Sequence, residues 1–310
     1  MVLGIYLLLI VSHLVIPVIL LIALWRNTTR TKFHWLLAFL LAATFSSVFF
    51  LAGVGWSWLS YYFRIFLPAA FLIVSYVSYR RARHLPVFPK PSSIRWLAVT
   101  AKIAIISYFS YGLAVIIPGL FPEGQPVELS FPLRNGFYYV GHGGSNVNLN
   151  RHYLNQAQKY ALDIGKLNVL GTRAMGIYPK DLTRYTIFGD TLHSPCEGSV
   201  TQAVDGLPDL IPPDSDPKHP AGNHVLIACR GVKVLLAHMM SGSLVISAGD
   251  LVQEGQVLGR VGNSGNTSEP HLHIHAAEGG SGEGAVDGEG VPMLFEGRFL
   301  VRNSLVIRRD

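Results

Sequence analysis

The sequence predicts two structural classes in one chain. An all-α membrane half with four transmembrane helices occupies residues 1–121, and a mostly antiparallel β domain occupies residues 122–310. Three observations carry this division. Met1 to Phe121 contains ten Lys and Arg but no Asp or Glu, whereas the remainder contains 15 basic and 19 acidic residues. Four apolar stretches of the first half reach the ~20 residues a helix needs to cross a bilayer core. The second half breaks into short β-branched and aromatic runs punctuated by Gly, Pro, Asn and Ser, with no helical period of adequate length. The formal charge of +6 therefore belongs to the membrane half and does not argue for nucleic-acid binding.

The predicted spans are Val2–Trp25, Phe33–Val54, Trp58–Tyr79 and Ile94–Leu120. The first has too long an apolar run, and lacks the preceding basic region, for a cleaved signal peptide; it is expected to be retained. Arg26, Arg30 and Lys32 separate the first two spans, and Arg80, Arg81, Arg83, Lys90 and Arg95 separate the last two. By the positive-inside rule both basic loops are cytoplasmic, so the N-terminus and everything after Leu120 lie outside. The expected location is the inner or plasma membrane, multi-pass, with the C-terminal domain periplasmic or external. Arg64 and Lys102 sit several residues from predicted helix ends and are expected to snorkel to the interface. His13 reads as a satisfied polar group and Pro17 as a kink. Four spans exceed what an anchor requires, which leaves room for an unidentified membrane partner.

Pro122 and Pro126 mark a short linker into the β domain. Strands are predicted at Gly136–Val140, Tyr160–Ile164, Gly198–Gln202, Asn223–Ile227, Val232–Ala237 and Val257–Val261. The Pro-rich segment Leu207–Pro220 and the Gly-rich segment Glu278–Gly290 read as loops. Cys196 and Cys229 fall in strand-like surroundings outside the membrane, where a disulfide is permitted; the sequence leaves a bridge and two buried thiols both open. Zinc ligation by this pair lacks a supporting Cys-x-x-Cys spacing.

The chemistry concentrates in His271-Leu272-His273-Ile274-His275, read with Asp163. Side chains alternate along a strand, so His271 and His273 share a face, roughly 7 Å apart. Two imidazoles and a carboxylate from a distant segment can form a three-ligand zinc site, or a zinc site with an adjacent base.

Ala248-Gly-Asp-Leu-Val-Gln-Glu-Gly-Gln-Val-Leu-Gly259 and Gly262-Asn-Ser-Gly-Asn-Thr-Ser-Glu-Pro-His-Leu-His273 resemble the C-terminal half of the lysostaphin/LytM-type zinc endopeptidases. The resemblance covers roughly Phe137 to Ala277, with a weaker tail to Asn303, and excludes the helical half. It implies a duplicated-hybrid-motif β fold, a Zn2+ cofactor and hydrolysis of peptide bonds in peptidoglycan. By this resemblance Asp163 and His273 match zinc ligands. His271 matches a histidine that contacts the zinc's water, and His238, in Leu236-Ala-His-Met239, matches the other histidine that does not ligate.

The chain departs from the family pattern at Lys159, four residues before Asp163, where the first zinc histidine is expected. A protonated lysine has no lone pair for a metal. His152 is the expected replacement, folded back by the short loop through Leu154–Ala157, with His142 and His193 as rivals. His224 is expected to line a groove or the surface, His219 to be solvated, and His275 to support the site from behind or play no part. The metal set is therefore read as His152, Asp163 and His273, with His238 and His271 as catalytic helpers. The leading function is a membrane-anchored zinc metalloendopeptidase; the alternative, prompted by Lys159, is a non-catalytic LytM-like domain that binds cell wall or activates another hydrolase. A biotinyl- or lipoyl-carrier hairpin at Ala248–Gly259 would need a lysine on its turn, and that stretch has none.

Overall fold

The computed structural model describes residues 2–26, 28–89, 96–279 and 287–309. Lys90 and Arg95 of the second basic loop, the Ile94 start of the fourth predicted span, and 280–286 of the Gly-rich segment lie outside the described residues. The chain divides into two compact units, Met1–Ile117 and Pro118–Asp310.

In the first unit, α1 (Val2–Ile10), a π-helical turn over Val11–Val15 and α2 (Ile16–Arg26) form one continuous helix. It is followed by α3 (Lys32–Ala52), the short α4 (Trp56–Leu59), α5 (Tyr61–Ala82) and α6 (Trp96–Ile116). Four helical stretches are long and apolar enough to cross a membrane: Val2–Arg26, Lys32–Ala52, Tyr61–Ala82 and Trp96–Leu120. Leucines such as Leu8, Leu72 and Leu97 stand exposed along them, as expected of helices that are apolar all round.

Local signals set the helix ends. The Thr31 hydroxyl accepts from the His34 amide at 3.3 Å and starts α3. Ser60 caps α5 by accepting from the Tyr62 amide at 3.3 Å. The third long apolar helix therefore begins at Tyr61 rather than Trp58, and the residues before it form α4 behind Gly55, whose φ of 93° suits glycine.

The polar residues of the helices behave individually. His13 lies in the π turn, just before Pro17. Its Nδ1 pairs with Ser12 Oγ at 2.9 Å and its ring packs edge-on against Phe49 and Trp56. Its Nε2 has no partner among the described residues, so the imidazole is only half satisfied. Arg64 donates to the Phe50 carbonyl at 3.2 Å and stacks over the Phe50 ring. Arg81 donates to the Trp25 carbonyl at 2.9 Å and the Lys32 amide to the Pro86 carbonyl at 2.9 Å, bringing Lys32 and Arg81, one from each basic stretch, to one end of the helices.

The second unit contains β1 (Val127–Leu129), β2 (Gly136–His142), β3 (Leu162–Leu167), β4 (Thr191–His193), β5 (Gly198–Val204), β6 (Asn223–Cys229) and β7 (Val232–Met239). It continues with β8 (Leu251–Val252), β9 (Val257–Arg260), β10 (Leu272–Glu278), β11 (Glu289–Val291), β12 (Met293–Phe295), β13 (Arg298–Phe299) and β14 (Leu305–Arg308). The main sheet runs β14-β2-β3-β10-β7-β6-β5-β8, with β11 also on β10, and all its pairings are antiparallel. The β1–β12 pair is parallel.

Alternation sorts the two faces of this sheet. Leu162 and Ile164 of β3, Val234 and Leu236 of β7, and Leu272, Ile274 and Ala276 of β10 enter the main core. Leu226, Leu235 and Ala237 form a smaller buried cluster. Ala237 and Leu235 oppose His273 and His275 across the β7–β10 ladder, so the histidines share that second face. Cys196 and Cys229 are joined by a disulfide, with Cα atoms 6.3 Å apart.

Candidate metal centre

The centre is assembled on the central strands β3 and β10. Their antiparallel register sets Asp163 directly opposite His273, and the His273 Nδ1 lies 2.8 Å from the Asp163 Oδ1. The other carboxylate oxygen, Oδ2, lies 2.9 Å from the His152 Nε2. One carboxylate thus bridges an imidazole from β10 and one from a loop.

That loop is shaped by a buried amide that the sequence analysis did not single out. Asn150 caps the 3-10 turn Arg151–Leu154, accepting from the His152 amide at 3.1 Å. Its Nδ2 donates to the carbonyls of Gly144, Lys159 and Ala161 at 3.3, 3.2 and 3.0 Å. Residues 157–160 are thereby held as turns, so β3 begins at Leu162, two residues after the predicted start, and His152 is folded back onto Asp163. The available signal was an asparagine two residues before a histidine, which is also a common surface-turn pattern.

Lys159, at the expected ligand position, turns away. Its Nζ pairs with Glu123 Oε2 at 3.1 Å and packs against the rings of Tyr153 and Tyr160. The Tyr160 hydroxyl donates to the Glu123 carbonyl at 3.1 Å, and Ser145 Oγ donates to the Phe121 carbonyl at 2.7 Å. The stretch Pro118–Glu123 is thus tied to the loop that carries His152.

His238 and His271 approach from the other side, their ring centroids 4.9 Å apart and that of His238 5.7 Å from His273. His238 Nδ1 lies 2.9 Å from the Ser264 carbonyl, and His271 Nδ1 lies 2.8 Å from the Glu269 carbonyl. Each Nδ1–H is committed to a carbonyl, which leaves Nε2 as the ring nitrogen available to the centre. His271 Nε2 is 3.5 Å from Asp163 Oδ1. The His238 backbone has φ 61°, an uncommon conformation for a side-chain-bearing residue. It is held there by hydrogen bonds from its amide to Ala221 and from Gly262 to its carbonyl.

The turn Gly262–Asn266 that supports His238 is itself braced by the Pro-rich loop. Asp209 accepts from the Asn263 and Ser241 amides at 2.6 and 3.0 Å, and the Asp216 amide donates to the Gly265 carbonyl at 2.9 Å.

Electrostatics separates the groups by role. Burial alone would raise the Asp163 carboxyl, but His152 and then His271 hold it well below the usual carboxylate range. Burial also opposes charge on His152 and His271, yet the Asp163 carboxylate raises both above the ordinary histidine value. Burial, followed by charge on His271 and His273, pushes His238 well below that value.

Two groups of three donors lie within 4.8 Å of one another: His152, Asp163 and His273, and His238, His271 and His273. The first is a mixed imidazole–carboxylate set of the kind that can hold a catalytic zinc, with the His152 and Asp163 side chains 26% and 16% exposed to solvent. The remaining histidines fall outside both groups. His142 Nδ1 is taken up by Arg302 Nη2 at 3.0 Å, and burial pushes its pKa down to about 4. His193 lies on β4; His224 is buried with Nδ1 2.7 Å from the Gly222 carbonyl; the exposed His219 pairs with Asp216.

The model of Peptidase family M23 matches residues 187–285. The chain carries an M23 peptidase-family domain. The matched residues of the M23 domain include His238, His271 and His273; His152 and Asp163 lie before them. No curated protein matches the chain. Among solved structures, the SpoIIQ–SpoIIIAH pore-forming complex is similar at 16% identity and TM-score 0.26, covering 42% of this chain and 59% of that one. The M23 metalloprotease pseudoalterin from the deep sea is similar at 20% identity and TM-score 0.31, covering 50% of this chain and 73% of that one. The catalytic domain of lysostaphin from Staphylococcus simulans is similar at 20% identity and TM-score 0.23, covering 37% and 84%. The chain thus spans 59% of the first of these structures.

Proposed function

We propose that the chain is a membrane-anchored zinc metalloendopeptidase that hydrolyses peptide bonds outside the membrane, with peptidoglycan as the substrate class. The proposal rests on one observation: two imidazoles and a carboxylate from three separate segments meet within 4.8 Å, beside two further imidazoles. His152, Asp163 and His273 would hold the ion. Zinc in such a set supplies a Lewis acid for the scissile carbonyl and brings a water's pKa toward neutrality.

The chain's own groups supply the rest. His238, kept neutral by burial and fixed through Nδ1, offers Nε2 as the base for the water's proton and then as the acid for the departing amine. His271, whose proton affinity Asp163 raises, donates from Nε2 to the oxyanion that develops on the carbonyl. Peptidoglycan enters through the resemblance to lysostaphin/LytM-type enzymes and the M23 match. The meeting of Lys32 and Arg81, one from each basic stretch, at one end of the apolar helices supports an outward-facing catalytic domain.

Lys159 favours a second reading, a LytM-like binder without activity. Elemental analysis of the purified full chain, followed by digestion of peptidoglycan, separates the two. One zinc per chain with new amino termini in the digest is expected; a zinc-free or inert protein leaves the binder.

A further inference from the structure

His275 belongs to neither group of three donors, yet it touches the centre. Its Nδ1 lies 3.0 Å from the Nε2 of His273, with the two rings near perpendicular. Both residues are buried, and His275 faces Leu235 across the β7–β10 ladder. Its second nitrogen, Nε2, is buried and has no hydrogen-bond partner among the described residues. An unsatisfied buried polar nitrogen detracts from stability, so packing alone gives no reason for a histidine here.

The tautomers of the pair depend on whether an ion is bound. His273 presents Nδ1 to the Asp163 carboxylate at 2.8 Å, where Nδ1–H donates; an ion seated between the two would take the Nδ1 lone pair instead. The His273 proton would then sit on Nε2 and be donated to His275 Nδ1, 3.0 Å away. The proton of His275 would sit on Nε2, the atom without a partner among the described residues. We infer that His275 is a positioning residue of the metal centre. Its Nδ1 accepts from His273 and fixes the tautomer and ring orientation that present His273 Nδ1 to a divalent cation. This rests on the zinc assignment above.

The experiment uses the purified full chain in detergent and measures zinc affinity by competition with a chromogenic chelator. The variants are His275→Leu and His275→Asn. Asparagine carries its Oδ1 where histidine carries Nδ1, so it keeps the acceptor while losing the ring; leucine keeps apolar bulk and removes the acceptor. Zinc affinity is expected to fall ~10–100-fold in His275→Leu and to return to near wild type in His275→Asn. The ligand-field absorption of the Co(II)-loaded chain should shift in the leucine variant alone. Wild-type affinity in His275→Leu would overturn the inference, as would equal weakening of both variants, which a purely structural role predicts. Absence of zinc binding by the wild type would instead overturn the metal assignment itself, and the positioning role with it.

Discussion

Replacing His152 by alanine tests the least obvious part of the centre, because this histidine comes from a 3-10 turn rather than a strand. It supplies one of three donor atoms that lie within 4.8 Å of one another. Zinc sets with four protein ligands bind with ~10–16 kcal/mol, or about 2.5–4 kcal/mol per ligand. At ~1.4 kcal/mol per decade, His152→Ala should weaken zinc binding by ~10²–10³-fold. Lys159→Ala is the control. The Lys159–Glu123 pair has side chains 28% and 53% exposed, so it is worth at most ~1 kcal/mol of stability, and zinc affinity should be unchanged. Both variants are assayed by chelator competition on the full chain. Tight zinc in His152→Ala together with loss of zinc in Lys159→Ala would refute the ligand assignment.

Four further outcomes are expected. His238→Ala should retain zinc but lose turnover by ~10²-fold or more, since a positioned proton carrier contributes on that scale; equal loss of zinc would move the ion to the all-histidine group. Asn150→Ala should lower the thermal midpoint and zinc affinity together, because one side chain holds three carbonyls and the His152 amide; an unchanged affinity would show that the turn holds itself. Replacing Cys196 and Cys229 by alanine opens a loop with a sequence separation of 33; loop entropy predicts a loss of roughly 3–4 kcal/mol in denaturant unfolding, and no loss would mean the sheet alone fixes the pair. Gly124→Cys should react with an impermeant maleimide in intact cells while Thr29→Cys reacts only after permeabilisation; the reverse pattern would invert the membrane orientation.

Much of the architecture is legible because its causes are local. The four long apolar helices follow from uninterrupted apolar length, and the strands β2, β5, β6 and β7 from short β-branched runs between turn residues. Asp163 and His273 stand on neighbouring strands whose alternation is written in Ala161-Leu-Asp-Ile and Leu272-His-Ile-His. What the sequence conceals depends on distant partners. The fold of the His152 loop depends on Asn150 reaching carbonyls as far away as Ala161, and no local periodicity reports that. The π turn around His13, the short helix before Ser60 and the two-to-four-residue strands β11 to β14 are likewise too short to carry a pattern. The deflection of Lys159 is legible only once Glu123 is seen beside it.

The most direct measurement is anomalous diffraction at the zinc absorption edge from crystals of the zinc-loaded full chain. A single peak within ~2.0–2.2 Å of a His152 nitrogen, an Asp163 oxygen and a His273 nitrogen is predicted. A peak held by His238, His271 and His273 without His152, or no peak at all, would contradict the proposed centre.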